Sequence, residues 1–179
     1  MLFLLFRCMN IRAAILEEHS KKQVLKIANY VGNDKERFAE LIQIYFDGPH
    51  IVTQRASWAL AHCAVADYNL VYPYLDKMID MLNPNAHDAV KRNTLRILGN
   101  IDVPEALMGL LVVKCFKYLQ SESEPIATRV FSMTILLNIS KKKPDLKSEL
   151  KIVISELLPY GSAAIQSRAK KTLKELEKL

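Results

Sequence analysis

Four arginines recur along the chain at a nearly constant interval, and this interval constrains the fold more than any other feature. Arg55, Arg92, Arg129 and Arg168 are separated by 37, 37 and 39 residues. Mostly apolar residues stand three positions before each arginine and one, five and eight positions after it. These offsets place the apolar side chains on one face of an α-helix. A repeat of this length predicts a chain built from similar helical units.

A first helix is predicted before each arginine-bearing second helix. These first helices are predicted over residues 34–46, 71–82, 104–119 and 145–158. Turn residues such as Gly48-Pro49 and Asn83-Pro84 separate the two helices of a pair, and Asp or Pro opens the next pair. A pair of short helices cannot bury its apolar face alone, so successive pairs must stack on one another.

The domain organisation follows from this repeat. Residues 1–33 are expected to form an N-terminal extension with one or two capping helices, and residues 34–179 one continuous domain. Its repeats are predicted at residues 34–66, 67–102, 103–143 and 144–179. Residues 1–8 are interpreted as a start-site extension, since Met9-Asn10 offers a second start. If they are translated, we expect them to pack on the first helix as an apolar cap.

The second helices resemble those of HEAT-repeat proteins, which are relatives of the armadillo type. The resemblance rests on segments 52–61, 89–100 and 126–136, which share the pattern apolar-x-x-Arg-small-x-x-x-Leu. It implies an all-α fold, a right-handed α-α superhelix of about four to five stacked helix pairs, with the second helices on the concave side. Such a scaffold serves many unrelated functions, so the resemblance favours an architecture more strongly than an activity.

Side chains at offsets of about 0, +3 and +7 from the arginines are expected to point roughly away from the core. On the concave face they would form a partner-binding surface, for which we predict Arg55, Trp58, His62, Arg92, Arg96, Arg129 and Ser132. Tryptophan and arginine are favoured at interface hot spots. The alternative is structural: each arginine bonds an acidic group or a helix-terminal carbonyl, and Trp58 packs between repeats.

Charge is distributed unevenly along the chain. Residues 1–89 hold nine Lys/Arg against ten Asp/Glu, a net of −1, whereas residues 90–179 hold sixteen against nine, a net of +7. A one-sided basic half can attract an acidic protein, nucleic acid or an anionic membrane surface, although a solvated lysine-rich surface is the simpler interpretation. The cluster Lys141–Lys143 fits either a helix C-terminus, where lysines complement the dipole, or a contact with such a partner.

The sequence contains none of the familiar motifs of catalysis or metal binding. It has no Gly-rich phosphate loop, no GxSxG, no HExxH and no zinc-ribbon spacing. The three cysteines form no CxxC, which predicts a reducing, cytoplasmic location with Cys63 and Cys115 in the core. No apolar run approaches the ~18 residues of a membrane span, so no membrane partner is expected. We therefore predict a soluble protein that is not an enzyme and has no metal or cofactor.

The predicted function is that of a non-catalytic scaffold for protein–protein interaction, with another protein or an acidic peptide as its partner. The alternative is nucleic-acid binding. Some DNA glycosylases for alkylated bases resemble this chain in their HEAT-like repeats, and their basic concave groove carries a tryptophan and an aspartate. Trp58 and the arginines would supply part of that arrangement, but the sequence places no carboxylate on the same face. It also leaves the oligomeric state open.

Overall fold

The structure, a computed structural model, describes residues 9–179, which form ten α-helices and one 3₁₀ helix and contain no strand. The helices are α1 (Ile11–Glu17), α2 (Lys21–Val31), α3 (Lys35–Asp47), α4 (His50–Ala66), α5 (Leu75–Asp80), α6 (Asp88–Leu98), α7 (Glu105–Gln120), α8 (Ile126–Ser140), α9 (Leu146–Leu157) and α10 (Ala163–Leu176), and the 3₁₀ helix spans Tyr68–Tyr74.

Helix starts carry the polar or proline residues that the sequence predicted. The side chains of Asn10, Ser20 and Asp34 accept hydrogen bonds from backbone N–H groups in the first turns of α1, α2 and α3. A proline stands immediately before α4, α7 and α8. The missing N–H of proline costs little at a helix start, where the first backbone donors have no intrahelical partner.

The chain forms two compact units, and the first, Met1–Tyr74, contains α1–α4 and the 3₁₀ helix. Helices α3 and α4 form an antiparallel pair, and α4 also packs against α1 and α2. The core of this unit is built from fully buried side chains that include Phe38, Leu41, Tyr45 and Leu60. Helix α4 is therefore the element that ties the first two helix pairs together.

The second unit, Leu75–Leu179, contains α5–α10. Helix α8 pairs with α7 and also packs against α6, α9 and α10. It is the most apolar of the second helices, and its buried residues include Met133, Ile135 and Leu136. The second helices α6, α8 and α10 therefore form one layer with α8 in the middle.

The prediction of an all-α chain of four to five helix pairs is confirmed. The described residues contain five successive pairs, and the region predicted as an N-terminal cap supplies two helices, α1 and α2. The prediction of one helix over residues 71–82 is wrong. That region divides into the 3₁₀ helix and α5, because Pro73 lacks an N–H and disfavours α-helical geometry in the residue before it.

The predicted core face of α8 is also wrong. Ile126 is exposed, and Val130 and Thr134 are partly exposed, whereas Thr128 and Ser132 are fully buried. Helix α8 is apolar around most of its circumference, so periodicity does not identify its packed face. Small residues on the buried face let neighbouring helices approach closely, and Ser132 remains satisfied because its hydroxyl donates to the carbonyl of Thr128 at 2.9 Å.

A buried ion pair joins α6 to the loop between α7 and α8. Nζ of Lys91 lies 2.6 Å from Oε1 of Glu124, and the two side chains are only 6% and 12% exposed. The ammonium also lies 5.5 Å from the centre of the Tyr118 ring. Burial, with a smaller effect of the Glu124 charge, raises the pKa of the Tyr118 phenol. Tyr118 therefore stays protonated, and Glu124 carries the charge that balances Lys91.

Replacing Lys91 alone should destabilise the second unit strongly. In Lys91→Met the carboxylate of Glu124 stays buried without its cation, and we expect the free energy of unfolding to fall by about 3–5 kcal/mol. Urea unfolding followed by circular dichroism measures this loss. The double variant Lys91→Met/Glu124→Met removes both charges and should unfold close to wild type. Equal losses in the two variants would contradict a paired role for these residues.

Candidate binding surface on the second helices

The second helices α4, α6 and α8 each expose one strip of side chains along the face that is not packed against other helices. The strips are Ile51, Gln54, Arg55, Trp58, His62 and Val65 on α4, Ala89, Arg92, Arg96 and Asn100 on α6 and at its end, and Ala127, Val130, Phe131, Thr134 and Asn138 on α8. The α4 strip belongs to the first unit. The α6 and α8 strips belong to the second, where their helices pack against each other.

The α6 and α8 strips meet at Gly99. A Cβ at this position would lie 3.7 Å from the side chains of Thr134 and Ile135, so α8 passes close to the end of α6. The Asn138 side chain strengthens this contact, because its Nδ2 donates to the carbonyl of Gly99 at 3.0 Å. Thr134 and Asn138 both belong to the α8 strip, so the two strips form one continuous surface.

Arg92 and Arg96 give this surface its charge. Arg92 is exposed and Arg96 is half-buried, one turn apart on the α6 strip. Neither guanidinium takes part in an ion pair among residues 9–179. The α6 and α8 strips contain no carboxylate. The two predicted site residues therefore present a positive charge that the second unit does not neutralise.

The other two predicted arginines, Arg55 and Arg129, donate hydrogen bonds to backbone carbonyls. Nη1 of Arg55 donates to the carbonyls of Leu16 at 3.1 Å and Ile15 at 3.4 Å, at the C-terminal end of α1. Nε of Arg129 donates to the carbonyl of Leu119 at 3.1 Å, at the end of α7. The structural alternative thus describes both residues. Arg129 is half-buried and lies outside the α8 strip.

The remaining predicted residues differ in exposure. Trp58 is half-buried on the α4 strip, and its ring meets that of His19 edge to face at 5.5 Å, so the tryptophan packs on the connection between α1 and α2. His62 is half-buried one turn further along the same strip. Ser132 is fully buried, and its predicted place on the exposed face is wrong.

Several strip residues escaped the sequence analysis because the arginine alignment is out of register. Trp58, Arg96 and Thr134 hold the same place on their strips, and they are 38 residues apart instead of 37. A shift of one residue rotates a helix position by about 100°, which moves a side chain off the exposed face. The polar and aromatic strip residues that were missed are Gln54, Asn100, Phe131, Thr134 and Asn138. Thr134 is a polar residue at a predicted core position, and this mismatch could have shown that the register was wrong.

The lysine cluster at the end of α8 is largely paired with carboxylates. Lys141 lies 3.4 Å from Glu175, and Lys142 and Lys143 form ion pairs with Asp102 and Glu105. The hydrogen bond from Lys143 lowers the pKa of Glu105. These contacts connect α8 and its following loop with α7 and α10, and they remove most of the free charge from the cluster.

The described residues contain no group of three His, Cys, Asp or Glu side chains that could hold a metal ion. Cys63 and Cys115 are buried, as predicted, while Cys8 lies outside the described residues, as does the expected cap of residues 1–8. Burial raises the pKa of each buried thiol to about 12. None of the described helices combines the length and apolar composition needed to cross a bilayer.

A family model described as a HEAT repeat domain matches residues 11–176. The chain belongs to the HEAT repeat family. The match includes α1 and α2, so the helices expected as a cap lie within the family region. No curated protein and no solved structure shows significant similarity to the chain. Family membership accounts for the paired helices, and HEAT repeats typically provide protein-binding scaffolds.

Arginines bonded to a helix end and arginines on the exposed strip should differ in their contribution to the stability of this HEAT repeat protein. Arg129→Met keeps the aliphatic stem but removes the bond to the end of α7, and we expect a loss of about 1–2 kcal/mol in the free energy of unfolding. Arg92→Met, the matched control, should stay within about 0.5 kcal/mol of wild type. Urea unfolding of both variants tests this, and indistinguishable losses would disprove the division.

The buried cysteines should resist thiol reagents in the folded protein. With a pKa of about 12, each thiol is almost entirely protonated at pH 8, and the thiolate is the nucleophile. We expect peptide mapping by mass spectrometry after treatment with iodoacetamide at pH 8 to find Cys63 and Cys115 unmodified. Both should react once urea is added. Rapid modification of either residue without urea would contradict its buried position.

Proposed function

We propose that the chain is a non-catalytic binding module that holds an acidic segment of another protein on the surface formed by the α6 and α8 strips. The observation that carries this proposal is the unpaired charge of Arg92 and Arg96 beside an uncharged α8 strip. Arginine forms paired hydrogen bonds with carboxylates. Phe131 adds an aromatic side chain, and Thr134 and Asn138 add hydrogen-bonding groups, to the same surface.

The composition of the strips also favours binding over catalysis. Helices α4 and α8 contain no acidic residue, and the only one in α6, Asp88, lies in its first turn outside the strip. The strips therefore lack the carboxylate that a base-excision enzyme of the HEAT-like type would place beside its tryptophan. Trp58 is moreover engaged with His19.

Nucleic acid is the second candidate partner because the C-terminal half keeps much of its charge. Of the sixteen Lys/Arg in residues 90–179, four form ion pairs and two more, Lys114 and Arg129, bind backbone carbonyls, which leaves ten. Four of these ten are exposed lysines on α10 and just after it: Lys170, Lys171, Lys174 and Lys178. Lysines spread over a helix surface favour nonspecific attraction of phosphates over a defined site.

Capture of a partner by immobilised protein tests the proposal. The variant Arg92→Glu/Arg96→Glu reverses the charge of the proposed surface. The control Lys170→Glu/Lys174→Glu makes the same charge change on α10. We expect one protein, identified by mass spectrometry, to be retained by wild type and control and lost from the Arg92→Glu/Arg96→Glu variant, because only that variant repels an acidic segment at the strip.

A fluorescence-anisotropy titration with labelled single- and double-stranded DNA, at low and near-physiological salt, distinguishes the second candidate. Binding that falls steeply with salt and disappears in Arg92→Glu/Arg96→Glu, with no captured protein, would replace the proposal by nucleic-acid binding. Equal protein capture by the variant and by its control would place the contact elsewhere and overturn the role of the strip.

A further inference from the structure

A cavity of about 210 Å³ lies in the first unit, between the 3₁₀ helix and the start of α3. The 3₁₀ helix and the residue before it contribute Asp67, Leu70 and Pro73 to its lining. Helix α3 contributes Lys35 and Phe38. None of these residues belongs to a strip of the second helices, so the cavity is separate from the surface described above.

The local geometry of both elements brings these side chains to the same space. A 3₁₀ helix has three residues per turn, so side chains three positions apart lie one above the other. Asp67, Leu70 and Pro73 follow this spacing, and the carbonyl of Asp67 accepts from the N–H of Leu70 at 3.4 Å. Lys35 and Phe38 are also three positions apart, on one face of α3. Each row begins with a charged residue and continues with apolar ones.

The inner part of the cavity is apolar. Phe38 is 1% and Leu70 6% exposed, and the ring centre of the half-buried Tyr74 lies 6.2 Å from that of Phe38. Pro73 adds a further apolar side chain. Pockets for drug-sized molecules have volumes of about 300–1,000 Å³, so this smaller cavity suits a small ligand with an aliphatic or aromatic group.

Two charges of opposite sign line the cavity without pairing. Lys35 is exposed and Asp67 is half-buried, and neither takes part in an ion pair among residues 9–179. Oδ1 of Asp67 accepts from the backbone N–H and the side-chain amide of Asn69, both at 2.9 Å. The second carboxylate oxygen and the Lys35 ammonium therefore remain available to a ligand.

We propose that this cavity binds a free α-amino acid with an apolar side chain. Such a molecule carries an ammonium and a carboxylate on the carbon that also bears the apolar group. The ammonium pairs with Asp67, the carboxylate pairs with Lys35, and the side chain lies against Phe38 and Leu70. A ligand with a single charge would be attracted by one of the two charged residues and repelled by the other.

The proposal is independent of the proposed function, because the cavity lies in the first unit and the α6 and α8 strips lie in the second. Arg92→Glu/Arg96→Glu should therefore bind the amino acid like wild type. Failure of one proposal leaves the other standing.

Isothermal titration calorimetry of the full chain with L-leucine, L-methionine and L-phenylalanine tests the site. We expect at least one of them to bind with a dissociation constant below about 1 mM. Glycine has the same charges but no side chain to bury, so it should bind at least about 10-fold more weakly. The amide of the bound amino acid, which lacks the carboxylate, and the deaminated acid, which lacks the ammonium, should each bind at least about 5-fold more weakly.

Two conservative variants separate the ligand contacts from the fold. Lys35→Met keeps an unbranched side chain, and Asp67→Asn keeps the oxygen that accepts from Asn69, so both should melt within about 2 °C of wild type without ligand. Each should weaken binding of the amino acid at least about 5-fold. Lys22→Met, which alters an exposed lysine in the first turn of α2, is the matched control and should bind like wild type.

The pairing of Lys35 with the ligand carboxylate has its own readout. Lys35→Met should bind the amino acid and its amide with similar affinity, because the variant has lost the group that distinguishes them. A change in stability alone would not produce this loss of discrimination.

Two outcomes would overturn the proposal. The first is that none of the three amino acids gives binding heat or raises the melting temperature of wild type. The second is an affinity that is equal in wild type, Lys35→Met and Asp67→Asn, which would place the ligand away from both charges.

Discussion

Hydrogen bonds from long cationic side chains to the C-terminal ends of helices organise this HEAT repeat protein. The last carbonyls of a helix have no intrahelical partner, and a glycine in the left-handed conformation often satisfies them. Among the described residues, only Gly32 adopts a positive φ. Cationic side chains supply donors at several ends. Arg55 and Arg129 donate to the ends of α1 and α7, and Lys114 donates to Leu82, just after α5, at 2.6 Å. Arg37 donates to Tyr30 at 2.7 Å, at the end of α2 that Gly32 also caps. Each bond fixes one helix against the end of another.

These bonds also determine which Lys and Arg side chains are left to bind a partner. A guanidinium that already binds a helix end would have to give up that bond to bind a partner, so Arg55 and Arg129 are poor candidates for recognition. Arg92 and Arg96 are different because α6 carries its buried cation at Lys91, which is paired with Glu124. The second unit therefore fixes α6 through one cation and leaves the two arginines on its outer face available.

The sequence predicted the architecture well because the architecture depends on the spacing of apolar residues, on turn residues between the helices and on the need to bury one face of each pair. It predicted the exposed faces less well. The face of α4 was identified correctly, since Val52, Ala56, Leu60 and Cys63 are all buried. The face of α8 was not, because its apolar residues surround the helix and its small polar residues face inward. One extra residue in each of the two repeats between α4 and α8 then moved the predicted site by two residues, from Phe131 and Thr134 to Arg129 and Ser132. Arg92 and Arg96 were identified correctly, since they are the residues that the narrow exposed strip of α6 presents.

The cavity that Lys35 and Asp67 line could not be predicted from the sequence, because it depends on the 3₁₀ helix and on how this helix lies against α3. Helix packing in the second unit buries the seam between first and second helices and leaves the outer side of each layer open. The two open sides have different chemistry: the second helices present unpaired guanidinium groups, and α7 presents apolar side chains with one free lysine. The guanidinium groups of Arg92 and Arg96 can therefore serve recognition without weakening the fold, because they take part in no ion pair of the second unit.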